Sequence, residues 1–125
     1  MRRNEITDEL IQLSKKAKEL GFPQDVEEGD WYGYVTYTDE IFLLASNELL
    51  IGKETEETAT YLVLSFSTCL AWLEQQGCTY FLDARRMNYE VFVYKYGQQI
   101  AHGKAPMRIE AITKAVIKVL EAQDE

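Results

Sequence analysis

The stretch Tyr89-Glu-Val-Phe-Val-Tyr-Lys-Tyr96 is the clearest strand in the chain, and the second half of the sequence is arranged around it. Most of its residues are the β-branched and aromatic types that are enriched in strands. Turn-forming residues lie on both sides of it, and beyond them residues 78–82 and 99–103 have the composition of two shorter strands. The sequence therefore predicts a three-stranded antiparallel sheet in which this stretch is the central strand.

Helices are predicted before and after that sheet. Residues 58–76 place five apolar side chains on one helical face, and Gly77 follows as a stop. Part of this segment, residues 61–66, would also serve as a strand, but its length and the Gly77 stop favour a helix. The closing helix begins near Pro106 and carries a continuous apolar stripe to Leu120.

The first half of the chain is predicted to contain one helix and one hairpin. Apolar side chains recur at spacings of four and three over residues 4–20, and Gly21 can end that helix. The aromatic run 31–37 and the apolar run 41–45 indicate a β-hairpin. Residues 49–51 fit either a short helical turn or a third strand.

Together these elements predict an α+β fold: an N-terminal helix and β-hairpin, then a helix–three antiparallel strands–helix unit, with the sheet packed by helices. A chain of 125 residues can bury one hydrophobic core, so residues 1–125 are expected to form a single domain. A charged connector at 52–58 separates an acidic α-β-β portion, 1–57, from an α-β-β-β-α unit, 58–123.

The net charge of -8 comes entirely from the first portion. Residues 1–57 contain 14 acidic and 6 basic side chains, which gives -8, whereas residues 58–125 contain 7 of each, which gives 0. Attraction to phosphates supplies most nonspecific nucleic-acid affinity, so this balance disfavours a nucleic-acid partner. An acidic surface can steer basic partner proteins, although a merely solvated surface is the simpler interpretation.

The sequence predicts neither a membrane span nor a secretion signal. No run approaches the ~20 apolar residues that a span needs, and the N-terminus lacks the apolar core of a signal peptide. A cytoplasmic location is the default expectation. Cys69 and Cys78 match no zinc pattern and are expected to be free, half-buried thiols.

Candidates for chemistry are few, and we predict no enzyme activity, cofactor or metal site. His102 is the only histidine, and no nucleophile or carboxylate lies at a diagnostic spacing from it. The chain has no Gly-x-Ser-x-Gly elbow and no glycine-rich phosphate loop. A small hydrolase or transferase is an alternative function. It would require a pocket in which His102 meets Asp83 or Glu90.

The aromatic residues of the central strand are the best candidates for a binding surface. Alternation along a strand places three of them on one side: Phe92, Tyr94 and Tyr96. The preceding turn adds two arginines to this candidate surface: Arg85 and Arg86. The aromatic side can be open for recognition or covered by the N-terminal elements. Burial of both faces is favoured, because an exposed apolar row promotes aggregation.

The order helix–strand–strand–strand–helix in residues 58–120 resembles double-stranded-RNA-binding domains. That family has a lysine cluster opening its last helix and a basic, histidine-containing loop between its first two strands. Here the helix opens with Pro106-Met-Arg-Ile-Glu110, and the loop has Arg85 and Arg86 without histidine. The resemblance implies a topology and, as an alternative function, an RNA-binding module.

Several segments are similar to small uncharacterised proteins of bacteriophages and prophages, including those with phage α-β-α sandwich domains. The segments are Leu20-Gly-Phe-Pro23, Gly29-Asp-Trp-Tyr32, Trp72-Leu-Glu-Gln-Gln-Gly77 and Ala111-Ile-Thr-Lys-Ala-Val-Ile-Lys-Val-Leu120. The resemblance implies an accessory protein of a mobile element. The expected function is therefore non-enzymatic: binding of a host or phage protein, or self-association.

Overall fold

The computed structural model describes residues 1–27, 29–35, 40–44, 59–84 and 86–123. Within these ranges it has three α-helices, a short 3-10 helix and two three-stranded antiparallel sheets, so the predicted α+β fold is confirmed. The chain divides into two compact units, Met1–Val63 and Leu64–Glu125. The predicted alternatives for residues 49–51 lie outside the described ranges.

The first unit begins with helix α1, Asp8–Glu19. Its N-cap is Thr7, whose hydroxyl oxygen accepts a hydrogen bond from the Leu10 amide at 3.1 Å. The helix predicted from Asn4 therefore starts four residues later, because Arg3–Glu5 forms a separate 3-10 turn before this cap.

The sheet of the first unit is built on the predicted hairpin. Strands β1, Trp31–Tyr34, and β2, Ile41–Leu43, pair antiparallel, and β3, Thr60–Leu62, pairs with the other side of β1. A Cβ atom on Gly33 would lie 2.5 Å from the ring of Tyr61, which is fully buried. Only glycine leaves room for that ring to cross β1.

The helix predicted over residues 58–76 starts too early. Residues 60–62 form β3, and helix α2 spans Phe66–Gln75. Pairing with β1 outweighs the helical periodicity of these residues, and Ser65 supplies an N-cap by accepting a hydrogen bond from the Thr68 amide at 3.2 Å. Because β3 pairs with β1, residues 60–62 belong to the first unit. The boundary between the units lies at 63/64 rather than at the predicted 57/58. The single domain stays a prediction.

The second unit has the predicted helix–three strands–helix order. After α2, strands β4, Thr79–Ala84, β5, Tyr89–Lys95, and β6, Gln98–Ala105, form a sheet in chain order, and α3 spans Arg108–Gln123. The central strand is thus the predicted one, shortened by a single residue. None of the helices in the described ranges has the length and apolar character needed to cross a membrane.

Helix α3 packs on one face of this sheet, which we call the inner face. Val91 and Val93 of β5 are fully buried there. A Cβ atom on Gly103 would lie 2.0 Å from a backbone oxygen of α3, so β6 runs directly against the helix. Helix α2 packs on α3, where Cys69 Sγ lies 3.8 Å from Thr113 Oγ1. The core of the second unit therefore lies on the inner side of the sheet.

Candidate functional site

The opposite side of the second sheet, which we call the outer face, presents a mixed aromatic and charged surface. Because side chains alternate along a strand and register partners point to the same side, the outer face is defined by the registers of two hairpins. Its residues are Thr79, Phe81 and Asp83 of β4, Glu90, Phe92 and Tyr94 of β5, and His102 and Lys104 of β6.

Three rings of the outer face form one row across the sheet, which we call the aromatic row. Phe92 is the register partner of both Phe81 and His102. The ring centroids of Phe81 and Phe92 lie 6.4 Å apart, and the rings of Phe92 and His102 are stacked with centroids 4.7 Å apart. Phe81 is 58% exposed, so the row opens to solvent at β4.

At the far end of the row, His102 meets a carboxylate. Its Nε2 atom lies 3.2 Å from Oε1 of Glu90, and the two side chains are 35% and 17% exposed. The Phe92 ring on one side and the Glu90 carboxylate at its edge thus fix the imidazole. This contact of His102 with Glu90 is one of the two features that a hydrolase or transferase requires, the other being a pocket that encloses them.

The hydroxyl groups of the outer face lie away from this histidine. Thr79 and Tyr94 are register partners, two positions along their strands from Phe81 and Phe92 and on the side away from Glu90. Two residues along a strand span about 6.6 Å. Among the described residues of the outer face, the imidazole thus contacts a carboxylate, and the nearest hydroxyl-bearing residues lie two positions along the strands.

The predicted binding residues do not all converge. Phe92 and Tyr94 lie on the outer face as predicted. Tyr96 is instead in the turn between β5 and β6, with φ of 53° and 93% exposure, because the strand ends at Lys95. Arg86 is exposed in the turn before β5, at the opposite end of that strand, and Arg85 lies outside the described ranges.

The two faces of the second sheet differ in their cover. The sequence favoured burial of both, but α3 packs on β5 and β6 at the inner face, whereas Phe92 and Tyr94 of the outer face are half-buried. Strand β4 is the least covered: its outer Phe81 and its inner Tyr80 are both exposed.

Phe81 is the member of the site that sequence reasoning missed. The turn between the paired residues Ala84 and Tyr89 contains four residues, and counting back from that pair sets Phe81 opposite Phe92. The sequence predicted a strand that ended at Leu82, so it did not determine the length of the turn before β5. The ends of a strand are its least certain part, and the register depends on them.

Neither cysteine belongs to the site. Both thiols are free and buried. Burial raises the pKa of Cys69 to about 12, although the hydrogen bond with Thr113 acts in the opposite direction. Burial also raises the pKa of Cys78, against the attraction of Lys95. In the part of the chain that the structure describes, no three His, Cys, Asp or Glu side chains are grouped to hold a metal ion.

Comparison of the chain with protein-family models, curated proteins and solved structures gave no match. The resemblances to phage proteins and to double-stranded-RNA-binding domains therefore stay predictions.

Proposed function

We propose that the protein is a non-enzymatic binding protein that recognises another protein through the outer face of its second sheet. The observation that carries this proposal is the aromatic row: Phe81, Phe92 and His102 are aligned by strand pairing and open to solvent at one end. Aromatic residues, including phenylalanine, are enriched at protein interfaces relative to the rest of the surface.

The rings of the aromatic row are already ordered in the free protein. This favours binding, because the side chains lose little conformational freedom on association. Phe92 contacts a ring on each side, and His102 is fixed by Phe92 and Glu90. Immobilising a mobile side chain at an interface costs about 0.5–1.5 kcal/mol. Rings that are ordered before the partner arrives avoid most of that cost.

The charge distribution favours a partner with a basic surface. Residues 58–63 carry no charge, so the first unit, 1–63, keeps the 14 acidic and 6 basic side chains counted above and a net charge of -8. Long-range attraction would accelerate the encounter. The rings of the outer face would then supply the apolar contact. An accessory role of this kind is also what the predicted resemblance to small phage proteins implies.

Position-specific photo-cross-linking tests the proposal. p-Benzoylphenylalanine replaces Tyr94 on the outer face or, as the control, Lys118 on the exposed side of α3, and extracts of cells that express the protein are irradiated. We expect another protein to be cross-linked from position 94 and not from position 118, and Phe81→Lys to abolish that product. Equal products from both positions, or none from position 94, would contradict the proposal.

A second candidate function, a small hydrolase or transferase, is favoured by the contact between Glu90 and His102. A carboxylate that orients an imidazole can form a general base. Hydrolysis of p-nitrophenyl acetate tests this candidate. A rate above that of free imidazole, lost in His102→Ala and lowered in Glu90→Gln, would support it. A rate equal to that of imidazole would remove it.

A further inference from the structure

Strand β4 is an edge strand of the described sheet, and its own sequence provides few of the usual protections of an edge. Among the described strands it pairs with β5 alone. Its sequence, Thr79-Tyr-Phe-Leu-Asp-Ala84, contains one charged residue and neither lysine nor proline. By contrast, β6 at the other edge carries Lys104 and an irregularity in its pairing with β5. An edge strand without lysine, proline or a bulge is a template for another strand.

The exposed side chains of β4 also favour continuation of the sheet. Phe81 on the outer face and Tyr80 on the inner face are both exposed, and at the inner face α3 packs on the other two strands. A further strand beside β4 would remove part of both rings from water, and burial of apolar surface stabilises the assembly.

We infer that the strand that continues the sheet is β4 of a second copy of this chain. Two identical strands that pair antiparallel are related by a two-fold axis perpendicular to the sheet, as an isologous dimer requires. This symmetry keeps both outer faces on the same side. Because register partners point to the same side, the outer residues of one β4 must oppose the outer residues of the other.

The sequence of β4 favours a register centred on Phe81. In this register Phe81 lies opposite its own copy and Thr79 lies opposite Asp83, so no like charges face each other. Centring on Leu82 would set the carboxylate of Asp83 against the Phe81 ring. Centring on Tyr80 would leave half of the strand unpaired. The Phe81-centred register therefore sets the two Phe81 rings opposite each other and keeps each Asp83 carboxylate away from the other carboxylate and from a ring.

Self-pairing also brings the outer face nearer to the size that a binding surface needs, and in this respect the inference rests on the proposed function. Three strands about 4.8 Å apart and six residues long, at about 3.3 Å each, give a projected face of about 290 Å². A standard interface takes about 800 Å² from each partner. Two copies double the face and join their aromatic rows through the two Phe81 rings.

Sedimentation equilibrium of the full chain at about 0.5 mM, which populates even a submillimolar dimer, tests the pairing. We expect a species of twice the 14.5 kDa chain mass. Phe81→Lys should give a monomer. Met87→Lys, which adds the same charge at an exposed position of the neighbouring turn, should leave the dimer unchanged. A monomeric wild-type chain, or a dimeric Phe81→Lys variant, would overturn the inference.

Amide hydrogen exchange gives a second test of the pairing. It uses the wild-type chain, so no substitution can impair folding and confuse the result. Protection of the β4 amides should rise with chain concentration while protection of the β6 amides stays constant. Equal behaviour of the two edges would overturn the pairing.

The cross-linking result separates the two proposals. A monomer that still cross-links another protein from position 94 overturns the pairing alone, and a dimer that cross-links no other protein overturns the binding function alone.

Discussion

Gly103 lies where β6 runs against α3, and a side chain there has no room. A Cβ atom would lie 2.0 Å from the oxygen of Ala111 and 2.7 Å from the nitrogen of Ala115. We expect Gly103→Ala to lower the free energy of unfolding by about 1–3 kcal/mol or more, because backbone must shift to admit the methyl group. Urea denaturation measures this, with the exposed Lys104→Ala as control, and equal values for both variants would contradict the packing.

The buried thiol of Cys69 gives a second prediction at the residue scale. Its pKa is raised from 9.0 to about 12, so at pH 8 its thiolate fraction falls from about 0.1 to about 10⁻⁴. We expect Cys69 to react with Ellman's reagent only after unfolding in urea. Rapid reaction in the folded chain that disappears in Cys69→Ser would contradict the burial of this thiol.

The same shift has a consequence for stability. The folded chain holds the thiol proton of Cys69 more tightly than the unfolded chain does, so between pH 9 and 12 the unfolded state binds fewer protons. The free energy of unfolding should therefore fall as the pH rises through this window, and Cys69→Ser should flatten the decline.

At the scale of elements, the start of α2 depends on one hydroxyl group. Ser65 accepts a hydrogen bond from the Thr68 amide, and replacing an N-cap serine by alanine costs about 0.5–2 kcal/mol. We expect Ser65→Ala to destabilise the chain by about 1 kcal/mol in urea denaturation. Ser67→Ala removes a hydroxyl from the same turn without removing the cap, and a larger loss in this control would contradict the assignment.

Elements with a strong local pattern could be predicted from the sequence, and elements decided by distant partners could not. Strand β5 and helix α3 carry unambiguous periodicity and flanking turns, so both were predicted. The identity of β3 depends on pairing with β1, whose partner residues precede it by some thirty positions. Local periodicity carries no information about such a partner.

The candidate site shows the same limit on a smaller scale. Alternation correctly placed Phe92 and Tyr94 on one side, but it failed at Tyr96, where the backbone turns into the left-handed region that aromatic residues rarely adopt. The aromatic row required two hairpin registers at once, and the sequence specified neither. Phe81 and the contact between Glu90 and His102 emerged only from the paired strands.

At the scale of the whole molecule, the charge distribution predicts weak binding to nucleic acid. The net charge is -8, and the second unit, whose predicted element order suggested the RNA-binding alternative, has 7 basic and 7 acidic side chains. We expect no binding to a 20-base-pair RNA duplex at about 150 mM salt, since few phosphate contacts are available. Fluorescence anisotropy measures this. Salt-sensitive binding that is lost on joint replacement of Arg85 and Arg86 by alanine would support the RNA-binding alternative instead.

The central claim is that the outer face of the second sheet binds another protein. The most direct measurement is the yield of the partner cross-linked from position 94 relative to position 118, in wild type and in His102→Ala. Truncation of an anchoring residue typically costs at least about 2 kcal/mol, or roughly 30-fold in affinity. We predict a product from position 94 alone, with a lower yield in His102→Ala. Equal yields from the two positions, unchanged in His102→Ala, would contradict it.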